Sequence, residues 1–254
     1  MQNNTISGLF IGQNLISLKS VDSSNNYLKN QLAKSKPLPE GTVILAEDQF
    51  AGRGQFENQW LSQPGKNLTF SILLFPVFLA PLKQFLLNIA VSLAINDIIT
   101  SFIGCDCKIK WPNDIYFKDK KIGGVLIENI LQGSKWKYAI VGIGINVNQL
   151  QFDDHIKNIT SLSAILGKEI PLDTLLSALL VSINNRYNQL KGNDFDNHIQ
   201  EYKKNLYRYE SLHSYESNGL PFEGRITNIK PEGQIEITVG DEVKTFSLKE
   251  VKYL

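Results

Sequence analysis

Leu86, Leu87, Ala90, Val91, Ala94, Ile95, Ile98 and Ile99 recur at intervals of three and four residues, the spacing of one helix face, and predict a buried helix. Upstream the pattern is different. "NLISLKSVDSSNNYLKNQLAKS" reads as a strand, a polar turn and a helix, with Ser23 or Ser24 available to cap the helix start. "TVILAEDQ" begins apolar and ends polar, as a strand does on leaving a core, and "NLTFSILLFP" is a longer strand halted by Pro76. Downstream, "KIKW", "IYFKD", "KIGGVLIEN" and "WKYAIVGIGINV" predict strands joined by tight turns. Residues 173–206 return to helical spacing through Leu175, Leu176, Leu179, Leu180, Ile183 and Tyr187. Near Tyr209 the character changes again. "LPFEGRITNIKPEGQIEITVGDEVKTFSLKEVKYL" predicts three or four short strands around the turns "KPEG" and "GDE", with Ile235, Ile237 and Val239 alternating, in outline a small β-barrel. Strands and helices are mixed rather than strictly alternating. The class expected is α+β, with one unit over residues 1–208 and a second over 209–254, and no internal repeat or low-complexity tract is found.

Composition narrows the function classes. A chain of 254 residues with 43% hydrophobic content can bury a full-sized core, and 26 basic against 25 acidic residues leave a formal charge of +1. No broad basic surface is expected, so neither nucleic acid nor an anionic membrane is an expected partner. The last barrel is no exception. Within residues 221–254, Arg225, Lys230, Lys244, Lys249 and Lys252 stand against Glu223, Glu232, Glu236, Asp241, Glu242 and Glu250. Cys105 and Cys107 are one residue apart, a spacing that suits neither an unstrained disulfide nor a metal site without further ligands, and they read as reduced thiols in a cytoplasmic protein. The N-terminal "MQNNTISGLF" lacks a basic region and a cleavage pattern. Pro76, Pro81 and Lys83 interrupt the most apolar stretch, so no membrane span is expected.

Candidate chemistry lies in the loops. Residues 49–71, "QFAGRGQFENQWLSQPGKNLTFS", look like a phosphate loop yet lack the GxxxxGK[ST] pattern, and "GIGINV" at 142–147 follows a strand but has no third glycine opening a helix. Gly52, Arg53 and Gly54 offer close backbone approach and a guanidinium suited to an anion, and they also fit an ordinary surface loop. Trp60 can pack a core or wall a cavity. Lys110, between apolar strand residues and Trp111-Pro112, incurs a burial cost unless an anion compensates it.

Taken in order, "DSSNN", "AEDQFAGRGQFENQW", "PGKNLTFS", "KWPNDIYFKDKKIGGVLIE" and "GIGINVN" resemble the biotin protein ligases, most specifically through "KWPND" followed by "KIGGVLIE". The resemblance is good over residues 15–150 and looser beyond. It implies a mixed-sheet catalytic domain similar to class II aminoacyl-tRNA synthetases, followed by an SH3-like barrel. It also implies a two-step reaction in which the biotin carboxylate attacks the α-phosphate of MgATP to give biotinyl-AMP and pyrophosphate, and a lysine of a biotin carboxyl carrier protein then takes the biotinyl group. Carboxylate and triphosphate repel, so a cation belongs where they meet; unit charges 4 Å apart exchange about 4 kcal/mol at an effective dielectric of 20. By residue-to-residue match, Lys110 is assigned that place and Arg53 is the second catalytic cation. Ser23, Ser24 and Asn25 match the residues that hydrogen-bond the ureido ring, which offers one acceptor and two N–H donors. Gln49, Arg53, Gly54 and Gln55 match the loop that covers biotin and then the adenylate. Trp60, Asn113, Lys121 and Asn146 are expected to bind the nucleotide, with Trp60 walling the adenine, Lys121 meeting phosphate and Asn146 touching the nucleotide or its metal. No protein metal ligand is assigned.

The chain departs from the family's pattern in the loop, where Gln55 replaces a commonly basic residue and Glu57 a usual glycine. Fewer cations are then expected over the intermediate. Only residues 1–21 precede "DSSNN", whereas some relatives carry an N-terminal DNA-binding domain, so a repressor role is not expected. A homodimer is left open. The alternatives are a lipoyl protein ligase on the same architecture and a non-enzymatic module whose final barrel binds protein or RNA.

Overall fold

The computed structural model describes residues 9–34, 38–55, 58–153 and 155–254. Glu57 and the N-terminal segment before Leu9 lie outside them. Seven strands form one mixed sheet. They are β1 (Leu15–Val21), β2 (Val43–Gln49), β3 (Leu68–Leu74), β4 (Cys107–Lys110), β5 (Asp114–Phe117), β6 (Lys120–Gln132) and β7 (Lys135–Ile145), in the order β1-β2-β3-β7-β6-β5-β4. β1 and β2 are parallel, joined through α1 (Ser24–Leu32), and the remaining pairs are antiparallel. All of β3 is buried, as expected for a strand covered on both faces. Phe70, Ile72 and Leu74 meet α2 (Phe85–Ile103) and α4 (Leu172–Lys191) in the main core, while Leu73 joins Ile44, Ile140 and Leu28 of α1 on the other face.

The predicted helix over 86–99 is thus found, beginning at Phe85 beyond Pro76, Pro81 and Lys83. Those residues therefore do not interrupt it. The stretch Pro81–Ile103, with mean hydropathy 1.8, is long and apolar enough to cross a bilayer, but 67% of its apolar window is buried inside the protein. The spacing over 173–206 resolves into α4 and α5 (Phe195–Lys204). A short helix, α3 (Leu162–Leu166), lay outside the predicted pattern; it is capped by the Ser161 hydroxyl, which accepts from the Ala164 N–H at 3.2 Å. Ser23 occupies the cap position of α1, yet its side chain makes no capping hydrogen bond.

Over residues 220–254 the structure has four strands, within the three or four expected, and a further strand precedes them. β8 (Leu212–Ser217), β9 (Leu220–Ile229), β10 (Ile235–Val239), β11 (Glu242–Phe246) and β12 (Lys252–Tyr253) form an antiparallel sheet in the order β11-β10-β9-β8-β12. The strand outside the expectation is the polar β8, which shows little alternation. The "KPEG" turn docks this sheet on the first one. Trp111 donates its indole N–H to the Gly233 carbonyl at 3.0 Å, and Phe85 packs so tightly on Gly233 that an added Cβ would lie 2.7 Å from its ring. The α+β expectation holds, with a small C-terminal sheet of SH3-like character.

Candidate active site

The registers across the sheet explain where a cavity can form. On the α1 face, one row runs Leu73, Ile140, Glu128; the next runs Ser71, Gly142, Leu126; the third runs Thr69, Gly144, Gly124, Asp114, Lys110. Side chains two residues apart share a face, so along β3 and β7 the same face passes from large and apolar to small. The result is a cavity of about 190 Å³ floored by Gly124, Leu126, Gly142 and Gly144. The glycines are sterically required. A Cβ on Gly142 would lie 2.5 Å from Asn25 Oδ1, and one on Gly144 would lie 2.5 Å from the Trp60 indole.

One end is a buried polar network at the start of α1. Gln49, at the end of β2, accepts from the Ser24 N–H at 2.7 Å and from the Ser24 hydroxyl at 2.9 Å. The Ser71 hydroxyl lies 2.6 Å from both Ser24 Oγ and Asn25 Oδ1. Asn25 donates from Nδ2 to Glu128 at 2.9 Å. Ser23, Ser24 and Asn25 are each 3–4% exposed. Over the cavity, Gly52–Gly54 and Asn58–Trp60 are paired: the Trp60 N–H donates to the Gly52 carbonyl at 3.0 Å and the Gly54 N–H to the Asn58 carbonyl at 2.7 Å. A Cβ on Gly52 would lie 2.3 Å from the Trp60 carbonyl oxygen, which accounts for glycine there. Trp60 lies on Gly144 with its indole nitrogen buried and unpartnered. Gln55 lines the cavity; Glu57 lies outside the described residues.

Lys121 is a cation the sheet delivers to the cavity. Strict alternation from Gly124 back along β6 would send it to the core face. A bulge intervenes, with Ile115 opposite Gly123 but Tyr116 opposite Lys121, so the extra residue Ile122 turns Lys121 to the cavity side. Its backbone is held by residues 158–160, donating to the Asn158 carbonyl at 2.8 Å and accepting from the Thr160 N–H at 2.9 Å. Its ammonium sits 2.6 Å from Asp114 Oδ1. Gly124 makes room for that pair, since a Cβ there would meet Asp114 Oδ1 at 2.9 Å.

Two expected residues are not among those lining the cavity. Lys110 stands on the edge strand β4, one strand beyond Asp114. Its ammonium donates to the Tyr116 hydroxyl at 3.2 Å and lies 4.8 Å and 4.9 Å from the ring centres of Tyr116 and Tyr253. Burial depresses its pKa below the usual lysine value, with Asp114 opposing and Arg208 and Lys121 adding to the shift. Lys110 shares the cavity-side row with Asp114 and Gly124 and stands one strand beyond the lining residues. Asn146 is fully buried; its side-chain amide donates to the Thr160 carbonyl at 3.1 Å and its backbone N–H to the Ile122 carbonyl at 2.8 Å. These contacts brace the segment behind Lys121, and the Asn146 Oδ1 is buried without a partner. Asn113 does line the cavity and donates to the Val125 carbonyl. Arg53 also lines it, with Nη1 2.8 Å from Asn26 Oδ1 and 3.0 Å from Glu128 Oε1. Sequence reasoning missed Ser71, Asp114 and Glu128, and it did not see that the glycines of "KIGG" and "GIG" are spacers for side chains on other strands.

Residues 17–146 match the biotin/lipoate A/B protein ligase family. The chain is 35% identical over 189 residues to the bifunctional ligase/repressor BirA of Bacillus spizizenii, covering 73% of this chain, and 34% identical over 132 residues to the biotin–[acetyl-CoA-carboxylase] ligase of Paracoccus denitrificans, covering 51%. These matches span little more than half of the relatives' own lengths, 57% and 53%. Among solved structures, the biotin protein ligase from Aquifex aeolicus in complex with biotin and ATP superposes with a TM-score of 0.80 at 30% identity, over 95% of this chain and 99% of that one.

Proposed function

The chain belongs to the biotin/lipoate A/B protein ligase family, and we propose that it makes biotinyl-AMP from biotin and MgATP and transfers the biotinyl group to a lysine of a biotin carboxyl carrier protein. The observation that carries this reading is the placement of a closed polar end and a cation, Lys121, along one glycine-floored cavity. Ser23, Ser24, Asn25 and Gln49 supply donors and acceptors for a ureido ring. A dithiolane ring would leave the same buried groups unmatched, a strong basis for rejecting it, and this favours biotin over lipoate.

Lys121 and Arg53 line the cavity and Lys110 stands one strand beyond Asp114 on the same face, so the cation set where the two anions meet is Lys110, Arg53 and Lys121. This set holds the biotin carboxylate beside the α-phosphate and stabilises the charge that develops there. A carboxylate oxygen then bonds to the α-phosphorus as the bond to pyrophosphate breaks. In the second step the neutral amine of the acceptor lysine attacks the acyl carbon, AMP leaves, and the amine's proton is lost. Asp114 fixes Lys121 by its ion pair. Among the described residues no group of three potential metal ligands occurs, and Asp114 is the one acid among the lining residues. The magnesium ion therefore enters as part of the substrate, held chiefly by phosphate and water. At about 190 Å³ the cavity is smaller than the roughly 300–1,000 Å³ of ligand sites. The division into a catalytic part up to residue 208 and a C-terminal part from 209 is supported by the break between the two sheets.

Incubation with MgATP and either biotin or lipoate, followed by pyrophosphate release, tests the reading. Biotin alone should respond. Release with lipoate alone would reassign the substrate, and release with neither would remove the activity.

A further inference from the structure

Glu128 joins the polar end of the cavity to its covering loop without being one of the lining residues. It stands on β6, next to the floor, and its side chain is 18% exposed. Oε2 accepts from Asn25 Nδ2 at 2.9 Å, and the Arg53 guanidinium reaches both carboxylate oxygens, at 3.0 Å and 3.1 Å. Lys29, largely exposed on α1, is a more distant partner at 3.9 Å. Arg53 also donates to Asn26 Oδ1 at 2.8 Å, so the covering loop is tied at a single guanidinium to both α1 and β6. Asn25 has a second, independent constraint in the Ser71 hydroxyl at its Oδ1. Its amide can therefore satisfy Glu128 and Ser71 together in one orientation only, with Nδ2 toward the carboxylate.

We propose that Glu128 is a positioning residue that couples ring recognition to loop closure. Its carboxylate orients Asn25 for the ureido ring, and the same carboxylate anchors Arg53, and with it the loop, over the cavity. A ring seated against Asn25 firms the Asn25–Glu128 contact and so favours the closed loop. The coupling rests on the biotin reading of the cavity; the tie itself rests on geometry alone. The two duties make different demands. Orienting Asn25 needs only an acceptor, which an amide retains, whereas anchoring a guanidinium with both oxygens needs the negative charge.

Glu128→Gln and Glu128→Ala separate them. Biotin affinity is measured by calorimetry without ATP, and loop anchoring by the rate of tryptic cleavage after Arg53, with a thermal melt to verify folding. Glu128→Ala should weaken biotin about tenfold, equivalent to about 1.4 kcal/mol, whereas Glu128→Gln should leave it within about threefold, or roughly 0.65 kcal/mol on the same scale. Both should hasten cleavage after Arg53. Biotin added to the wild-type protein should slow that cleavage, and should do so less in Glu128→Ala. The inference is overturned if the two variants bind biotin alike, or if cleavage after Arg53 is unchanged in both. Failure of the wild-type protein to bind biotin would instead overturn the functional reading, and the cleavage rates would then decide the tie alone.

Discussion

Replacing Lys121 with alanine should slow adenylation by roughly 100- to 1000-fold, the range for losing one preorganised charge-stabilising group. A cation about 4 Å from a substrate anion gains about 4 kcal/mol at an effective dielectric of 20. Lys121 is 2.6 Å from Asp114, whose opposite charge offsets part of that field. The surplus that reaches the transition state is then about 3–4 kcal/mol, which corresponds to the stated rate loss. Lys121→Arg keeps the charge and should recover part of the rate. Lys110→Met removes the neighbouring cation on the same sheet row as Asp114 and should slow the step as well. Single-turnover pyrophosphate release with saturating biotin and MgATP measures the step. A folded Lys121→Ala protein within about threefold of wild type, well short of the effect expected for such a group, would refute the assignment.

Lys110 also predicts a pH effect. Its folded pKa lies below the ordinary 10.5 because of burial, so the cost of burying its charge is fully present below the folded value. That cost is relieved as pH rises toward 10.5, where the folded chain sheds a proton the unfolded chain still holds. Lys110→Met should therefore raise Tm at neutral pH, with an advantage that shrinks above the folded pKa; melts of both proteins across that range check it, and a pH-independent difference would count against it. Gly142→Ala should weaken biotin binding about tenfold or more while the protein stays folded, since the new methyl would lie 2.5 Å from Asn25 Oδ1; calorimetry with unchanged affinity would show that Asn25 moves freely. Gln55→Arg should slow release of biotinyl-AMP in the absence of acceptor about tenfold, because a charged donor holds an anion more tightly than a neutral amide. Rapid filtration reads it, and an unchanged rate would place residue 55 out of contact with the adenylate.

The strands of the large sheet were legible because their patterns are local: "TVILAEDQ" and "NLTFSILLFP" became β2 and β3, and the spacing of Leu86 to Ile99 became α2. The polar end of the cavity was legible through "DSSNN" for a related reason, because short polar residues at a strand-to-helix turn sit together in sequence and in space. The placement of the two lysines was not. What puts Lys121 among the lining residues and Lys110 one strand beyond them is a β-bulge at Ile122 and the edge position of β4. Neither leaves a mark in alternation, since a bulge is an exception to the period by which strands are read. Glu128 was hidden similarly. Its partners Asn25 and Arg53 are 103 and 75 residues away, and only the register of β6 on β7 brings them together.

The central claim is that this cavity forms and holds an acyl-adenylate, and the most direct measurement is to trap it. The protein is incubated with biotin and ATP labelled at the α-phosphate, without acceptor, separated from free ligand and denatured. The account predicts labelled biotinyl-AMP close to equimolar with protein, lost from Lys121→Ala and discharged as AMP when a biotin carboxyl carrier domain is added. Biotin bound by the folded protein with no labelled adenylate recovered would contradict it.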